Sequence, residues 1–205
     1  MGNILIFGDS YSTFEGYIPN GYKTYYPHLD VQRVEQTWWS KYIQTINGKL
    51  IQNNSWSGST IGYIGYEGDC SQTNSFIYRY RQLKAKNFFK ENQIDTVLVF
   101  GGTNDSWANA ALGEMLFSHW EEKDLFQVFP AVCYFTYCLK NDLPNAEIIF
   151  IINTDINPEI QTAIAEAAKY YGVKCIQLQD IDKVDGHPTA KGMEQICLQV
   201  LKEIH

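Results

Sequence analysis

Five short apolar runs alternate with longer stretches of helical periodicity, and this alternation leaves the chain few architectures to choose from. The runs are 3–8, 49–53, 95–100, 147–152 and 173–178. Asn3-Ile4-Leu5-Ile6-Phe7 and Glu147-Ile148-Ile149-Phe150-Ile151-Ile152 are almost continuously apolar, the pattern of strands covered on both faces. Helices are predicted over 37–47, 76–91, 119–141, 158–171 and 189–204. Thr37 can cap the first. Pro158 opens the fourth, where its missing N–H costs little, and Gly172 follows as a C-cap. Met193, Ile196, Cys197, Val200 and Leu201 recur at helical spacing in the last. Strands alternating with crossover helices predict an α/β fold, a three-layer α/β/α sandwich around a five-stranded parallel sheet.

The length of 205 residues fits one α/β domain, so residues 1–205 are read as a single domain. A net charge of -7, with no run of Lys or Arg, argues against a nucleic-acid partner. The longest apolar stretches are far too short for a membrane span. The five cysteines, at 70, 133, 138, 175 and 197, form no C-x-x-C pair and read as reduced thiols. Met1-Gly2-Asn3 enters the first strand without a basic leader segment, so a cytoplasmic location is expected. The histidines, at 28, 119, 187 and 205, are scattered, and no Cys/His spacing suits a metal. Neither a metal nor another cofactor is expected, and the oligomeric state is left open.

Three long loops, 11–36, 54–75 and 101–118, each follow one of the first three strands. Loops of this length in a compact domain are usually functional, and the carboxyl edge of an open α/β sheet is where ligands bind. Gly8-Asp9-Ser10 ends the first strand in a small-residue turn and delivers a hydroxyl to that edge. Taken alone, Ser10 reads as a turn cap, because Asp and Ser favour turns. It becomes a nucleophile only with a base beside it. His187, in Asp185-Gly186-His187-Pro188, is the base to expect. In an extended loop, residues two apart share a side, so Asp185 can hold the Nδ1 proton and leave Nε2 facing the serine. Gly58, after the second strand, and Asn104, after the third, supply N–H donors of the kind an oxyanion needs.

Gly8-Asp9-Ser10, then Asn54 to Gly58, then Gly102-Thr103-Asn104-Asp105, then an Asp/His pair closed by Pro188, resemble the blocks of the GDSL, or SGNH, hydrolases. They stand in the family's order from residue 8 to residue 188. The resemblance implies a flavodoxin-like α/β/α fold and a serine esterase with Ser10 as nucleophile and His187 as base. It also implies an oxyanion hole of the Ser10 and Gly58 N–H groups with the Asn104 side chain. One block departs from the pattern. The family places Asp three residues before His, but Val184 stands there, Asp185 is two before and Asp182 five before. Asp185 is expected to orient the imidazole, and a dyad helped by a backbone carbonyl is the alternative.

Asp9, Tyr11, Trp56, Asp105 and Trp107 are expected to touch substrate, and the Tyr-rich stretch 17–26 lies around the same blocks. The substrate expected is a small-molecule carboxylic ester, with an acetyl-type acyl group on a sugar preferred. The competing reading is a non-catalytic flavodoxin-like or sugar-binding module. In it, Ser10-Tyr11-Ser12-Thr13 would cradle a phosphate, although that loop lacks a central glycine.

Overall fold

The computed structural model describes residues 2–204. Its first half comprises β1 (Asn3–Gly8), α1 (Trp38–Thr45), β2 (Lys49–Ser55), β3 (Ile64–Gly65), β4 (Gly68–Asp69), α2 (Phe76–Ala85) and α3 (Phe88–Glu91). There follow β5 (Thr96–Phe100), α4 (Thr103–Trp107), α5 (Val128–Asp142), β6 (Glu147–Ile152), α6 (Pro158–Tyr171), β7 (Lys174–Gln177), β8 (Lys183–Val184), β9 (His187–Pro188) and α7 (Ala190–Ile204). Five strands pair in parallel in the order β2-β1-β5-β6-β7. The chain places β2 on one side of β1 and β5 on the other. The carboxyl end of β1 is therefore the topological switch point, the crevice where such sheets hold ligands.

Side-chain alternation along each strand divides the interior in two. Leu5, Phe7, Val97, Val99, Ile148 and Phe150 pack under α2, α5 and α6. Ile4, Ile6, Leu98, Phe100, Ile149 and Ile151 pack under α1 and α7. Burial on both faces explains the unbroken apolar runs, since each such side chain gains about 1.5–3 kcal/mol on leaving water. The expected α/β/α layering is thus present. The Thr37 side chain accepts from Ser40 N, and Pro158 and Gly172 bound α6 as expected. No described helix is long and apolar enough to cross a membrane.

Three expectations need correction. The helix expected over 76–91 is two, because Asn87 turns left-handed at φ +57°. The helix expected over 119–141 begins only at Val128. His119 also has positive φ, and the chain then makes a separate turn over Glu122–Phe126 before α5. Pro130, in the first turn of α5, costs no hydrogen bond there. Finally, the loops 54–75 and 101–118 are partly ordered. The first contains the β3–β4 hairpin and the second contains α4, and these two small elements bring Tyr66, Asn104 and Trp107 to the sheet edge.

Candidate active site

β1 ends at Gly8, where nothing larger fits. A Cβ on Gly8 would lie 2.5 Å from Ser12 Cβ and 2.5 Å from Ser55 Oγ. The next residue, Asp9, accepts a hydrogen bond from Tyr11 N at 3.0 Å and so starts a single helical turn over Ser10–Ser12. That turn holds Ser10 at the switch point. Its Oγ lies 3.0 Å from His187 Nε2, across 177 positions of sequence.

His187 arrives on the β8–β9 hairpin, whose two-residue turn is Asp185-Gly186. Both turn residues have positive φ, +48° and +76°, as a type I′ turn demands. Gly186 is needed twice over, since a Cβ there would also meet the Trp107 ring at 3.0 Å. The turn decides how Asp185 acts. Its side chain is exposed, while its backbone carbonyl lies 3.2 Å from His187 Nδ1. The carboxylate expected to orient the imidazole is thus replaced by a main-chain oxygen, because the chain here is a tight hairpin and not an extended loop. Asp182 is not an orienter either, as its carboxylate accepts from the Thr189 hydroxyl. A carbonyl can only accept, so Nδ1 carries the proton and Nε2 is left to accept from Ser10.

The hairpin is pinned from several sides. Tyr11 OH donates to Gly186 O, and Tyr26 OH donates to Pro188 O at 2.7 Å. Lys183 Nζ reaches Asn153 Oδ1 at 3.1 Å and Asp155 Oδ2 at 3.2 Å, tying β8 to the end of β6. The His187 ring itself lies among aromatic rings. Tyr25 stacks on it at 3.8 Å and 9°, and Trp107 meets it edge-on at 5.9 Å. Burial pushes the imidazole below its ordinary pKa, with His28 and Lys183 acting in the same direction and the Asp185 carbonyl and charge opposing them.

The expected oxyanion donors lie on the segments that follow β1, β2 and β5. The N–H groups of Ser10 and Gly58 enter no hydrogen bond among the described residues. Gly58 has φ +82° and open space where a Cβ would lie. Asn104 Nδ2 donates to Ser59 O at 2.9 Å, which leaves its second hydrogen free. Its Oδ1 accepts from Tyr66 OH at 2.9 Å. Because Ser59 O can only accept, this pair of contacts fixes which way the Asn104 amide points.

Of the residues expected on substrate, Asp9, Tyr11 and Asp105 are instead buried and bonded to the chain itself. Asp105 accepts from Ile61 N and Gly62 N, holding the strand-to-hairpin loop. Burial pushes its carboxyl up to about 6 and that of Asp9 up to about 7. Trp56 is half-buried against Tyr22, while Trp107 is 38% exposed beside His187.

Sequence reasoning missed Tyr66, Tyr25 and Arg79. Arg79 is fully buried and donates to Gly8 O, Ser59 Oγ, Asn54 O and Asn74 O. It thereby joins the ends of β1 and β2 beneath the site, and burial lowers its pKa to about 9. On sequence it is one polar residue of an ordinary helix, with no local signal. Tyr66 carried one available signal, its place in a two-residue turn between short runs.

Comparison with known proteins extends this picture. A family model described as GDSL-like lipase/acylhydrolase matches residues 2–204. A candidate GDSL-like lipase from Bacteroides ovatus is 38% identical over 100% of this chain and 98% of its own, with a TM-score of 0.91. A second, from Bacteroides uniformis, is 39% identical over 99% and 95%, again with a TM-score of 0.91. A family two carbohydrate esterase from Clostridium thermocellum shares the fold at a TM-score of 0.69, with 15% identity over 99% of this chain and 63% of its own. The search of curated proteins found no match. A family match along nearly the whole length, together with two solved relatives of this similarity, means that the chain belongs to the GDSL-like lipase/acylhydrolase family.

Proposed function

We propose that the protein is a serine esterase working through an acyl-enzyme, with Ser10 as nucleophile and His187 as base. The observation that carries this reading is the 3.0 Å contact between Ser10 Oγ and the unprotonated nitrogen of His187. Ser10 Oγ attacks the acyl carbon and its proton passes to Nε2. The tetrahedral oxyanion is held by the Ser10 and Gly58 N–H groups and by Asn104 Nδ2. The intermediate collapses as Nε2 returns the proton to the leaving alcohol. Water then attacks the acyl-enzyme, gives its proton to Nε2, and the acid leaves as Ser10 regains a proton. The orienting group is the Asp185 carbonyl.

Two exposed rings flank this apparatus, Tyr66 against Asn104 and Trp107 against His187. They support a ring-shaped alcohol such as a sugar, with a small acyl group such as acetyl. Five unpaired thiols support a reducing, cytoplasmic setting. A panel of acetyl, butyryl and longer-chain esters, with acetylated sugars included, tests the substrate. Acetyl esters, sugar acetates foremost, are expected to turn over fastest. Binding of sugars without turnover of any ester would overturn the reading in favour of a binding module.

Two further outcomes are expected. The acid limb of kcat/KM reports His187 in the free enzyme and should lie below the ordinary imidazole value of about 6.5, since the neutral ring is the active form and burial favours it. Activity therefore falls on acidification, and a limb centred above neutrality would contradict the assignment. Asn104→Ala is expected to lower kcat by about 10²–10³. Tyr66→Phe, which removes one hydrogen bond to Asn104, should cost about fivefold. If Tyr66 acts through Asn104, the double variant is no slower than Asn104→Ala alone. Additive losses would separate the two residues.

A further inference from the structure

A serine hydrolase without an orienting carboxylate must stabilise its imidazolium in some other way. The Asp185 carbonyl gives His187 one hydrogen bond and no net charge. The charged form is further disfavoured by burial and by the nearby His28 and Lys183, with the Asp185 charge the smallest influence and in its favour. On the face of the ring lies a contact of near-ideal geometry: the Tyr25 ring stands face to face with the imidazole, 3.8 Å between centroids and 9° between planes. An aromatic face carries partial negative charge, and a cation lying on it is attracted.

We propose that Tyr25 is a positioning residue that fixes the plane of His187 and stabilises its protonated form through that stack, sharing the work a carboxylate does in a triad. This rests on His187 acting as the base of the reaction proposed above.

The rest of the structure holds Tyr25 for such a role. Its backbone N–H donates to Thr13 Oγ1 at 2.9 Å, and the same hydroxyl donates to Ser10 O at 3.1 Å. One buried threonine thus ties the ring under the base to the turn that presents the nucleophile. Tyr26 and His28 each pack steeply against Tyr25, with ring centroids 4.9 Å apart, and limit its tilt. Burial, with the Asp185 charge, raises the Tyr25 phenol, so the ring stays neutral and its face keeps its charge distribution. The titratable groups around His187 are then Tyr11 from the turn after β1, Tyr25 and His28 from the first long loop, and Lys183 and Asp185 from the β8–β9 hairpin.

Substitution by leucine alone would mix lost attraction with new exposure to water. The decisive series keeps the ring's size and changes its electronics: Tyr25→Phe, then phenylalanines carrying one, two and three ring fluorines at position 25. Tyr25→Phe is expected to keep kcat within about threefold of wild type. Along the fluorinated series kcat should fall stepwise by about tenfold in all, the range of a partly desolvated cation–π contact, with KM steady. Titration of His187 by NMR should show its pKa falling in parallel. Flat kcat and flat titration along the series, with loss only in Tyr25→Leu, would reduce Tyr25 to packing and overturn the proposal. A falling His187 titration in a protein that hydrolyses no ester would uphold the contact while overturning the esterase reading.

Discussion

Ser10→Ala is expected to lower kcat on an activated acetyl ester by at least about 10³, with the fold and Tm nearly unchanged. The size follows from what the substitution removes. Without Oγ there is no covalent intermediate, and His187 has no hydroxyl to deprotonate. The oxyanion donors survive, because two are backbone N–H groups and the third is the Asn104 side chain. What they can still do for direct attack by water is the residual rate. Stability is expected to hold because Ser10 Oγ makes one hydrogen bond, to His187, while the turn itself is built by the Asp9 cap and the Thr13 contact to Ser10 O. Steady-state kinetics beside a thermal melt separates the two effects. Activity near wild type in the variant would remove Ser10 from the chemistry.

The second large effect is a contrast between two neighbours in sequence. His187→Ala should cost about as much as Ser10→Ala, since nucleophile and base act as one unit and their losses do not add. Asp185→Asn should stay within about twofold of wild type. In a triad built on a carboxylate, the same kind of change costs about 10⁴, by misplacing the imidazole proton. Here the acceptor is a main-chain oxygen, which the substitution leaves in place. Asn also tolerates the left-handed conformation that Asp185 adopts at φ +48°. A loss of several hundredfold in Asp185→Asn would show that the carboxylate takes part during turnover, and the hairpin account of the site would fail.

That contrast also marks where the sequence was legible. The strand over 3–8, the strand over 147–152 and the helix over 158–171 could be read directly, because burial on two faces and caps at both ends write themselves into local composition. Ser10, His187, Gly58 and Asn104, the proposed nucleophile, base and oxyanion donors, could be singled out because each follows a strand or precedes a helix. Asp185 is the residue the sequence offers beside His187, and the hairpin presents its carbonyl there in place of its carboxylate. Asp-Gly between Lys183-Val184 and His187-Pro188 is a favoured hairpin turn, and in it the Asp185 side chain is exposed. Arg79 was not legible at all, and Tyr25 only as one member of the Tyr-rich stretch 17–26. Arg79 is recruited by carbonyls from three separate segments, and Tyr25 meets His187 across 162 positions. Such contacts exist only once the chain has closed on itself.

The most direct test is covalent labelling with a serine-reactive phosphonate, followed by peptide mapping of wild type, Ser10→Ala and His187→Ala. A single adduct on the Ser10 peptide is predicted in wild type, none in Ser10→Ala, and labelling slowed at least about a hundredfold in His187→Ala, where the hydroxyl has lost its base. An adduct on any other residue, or equal labelling of Ser10 with and without His187, would contradict the account.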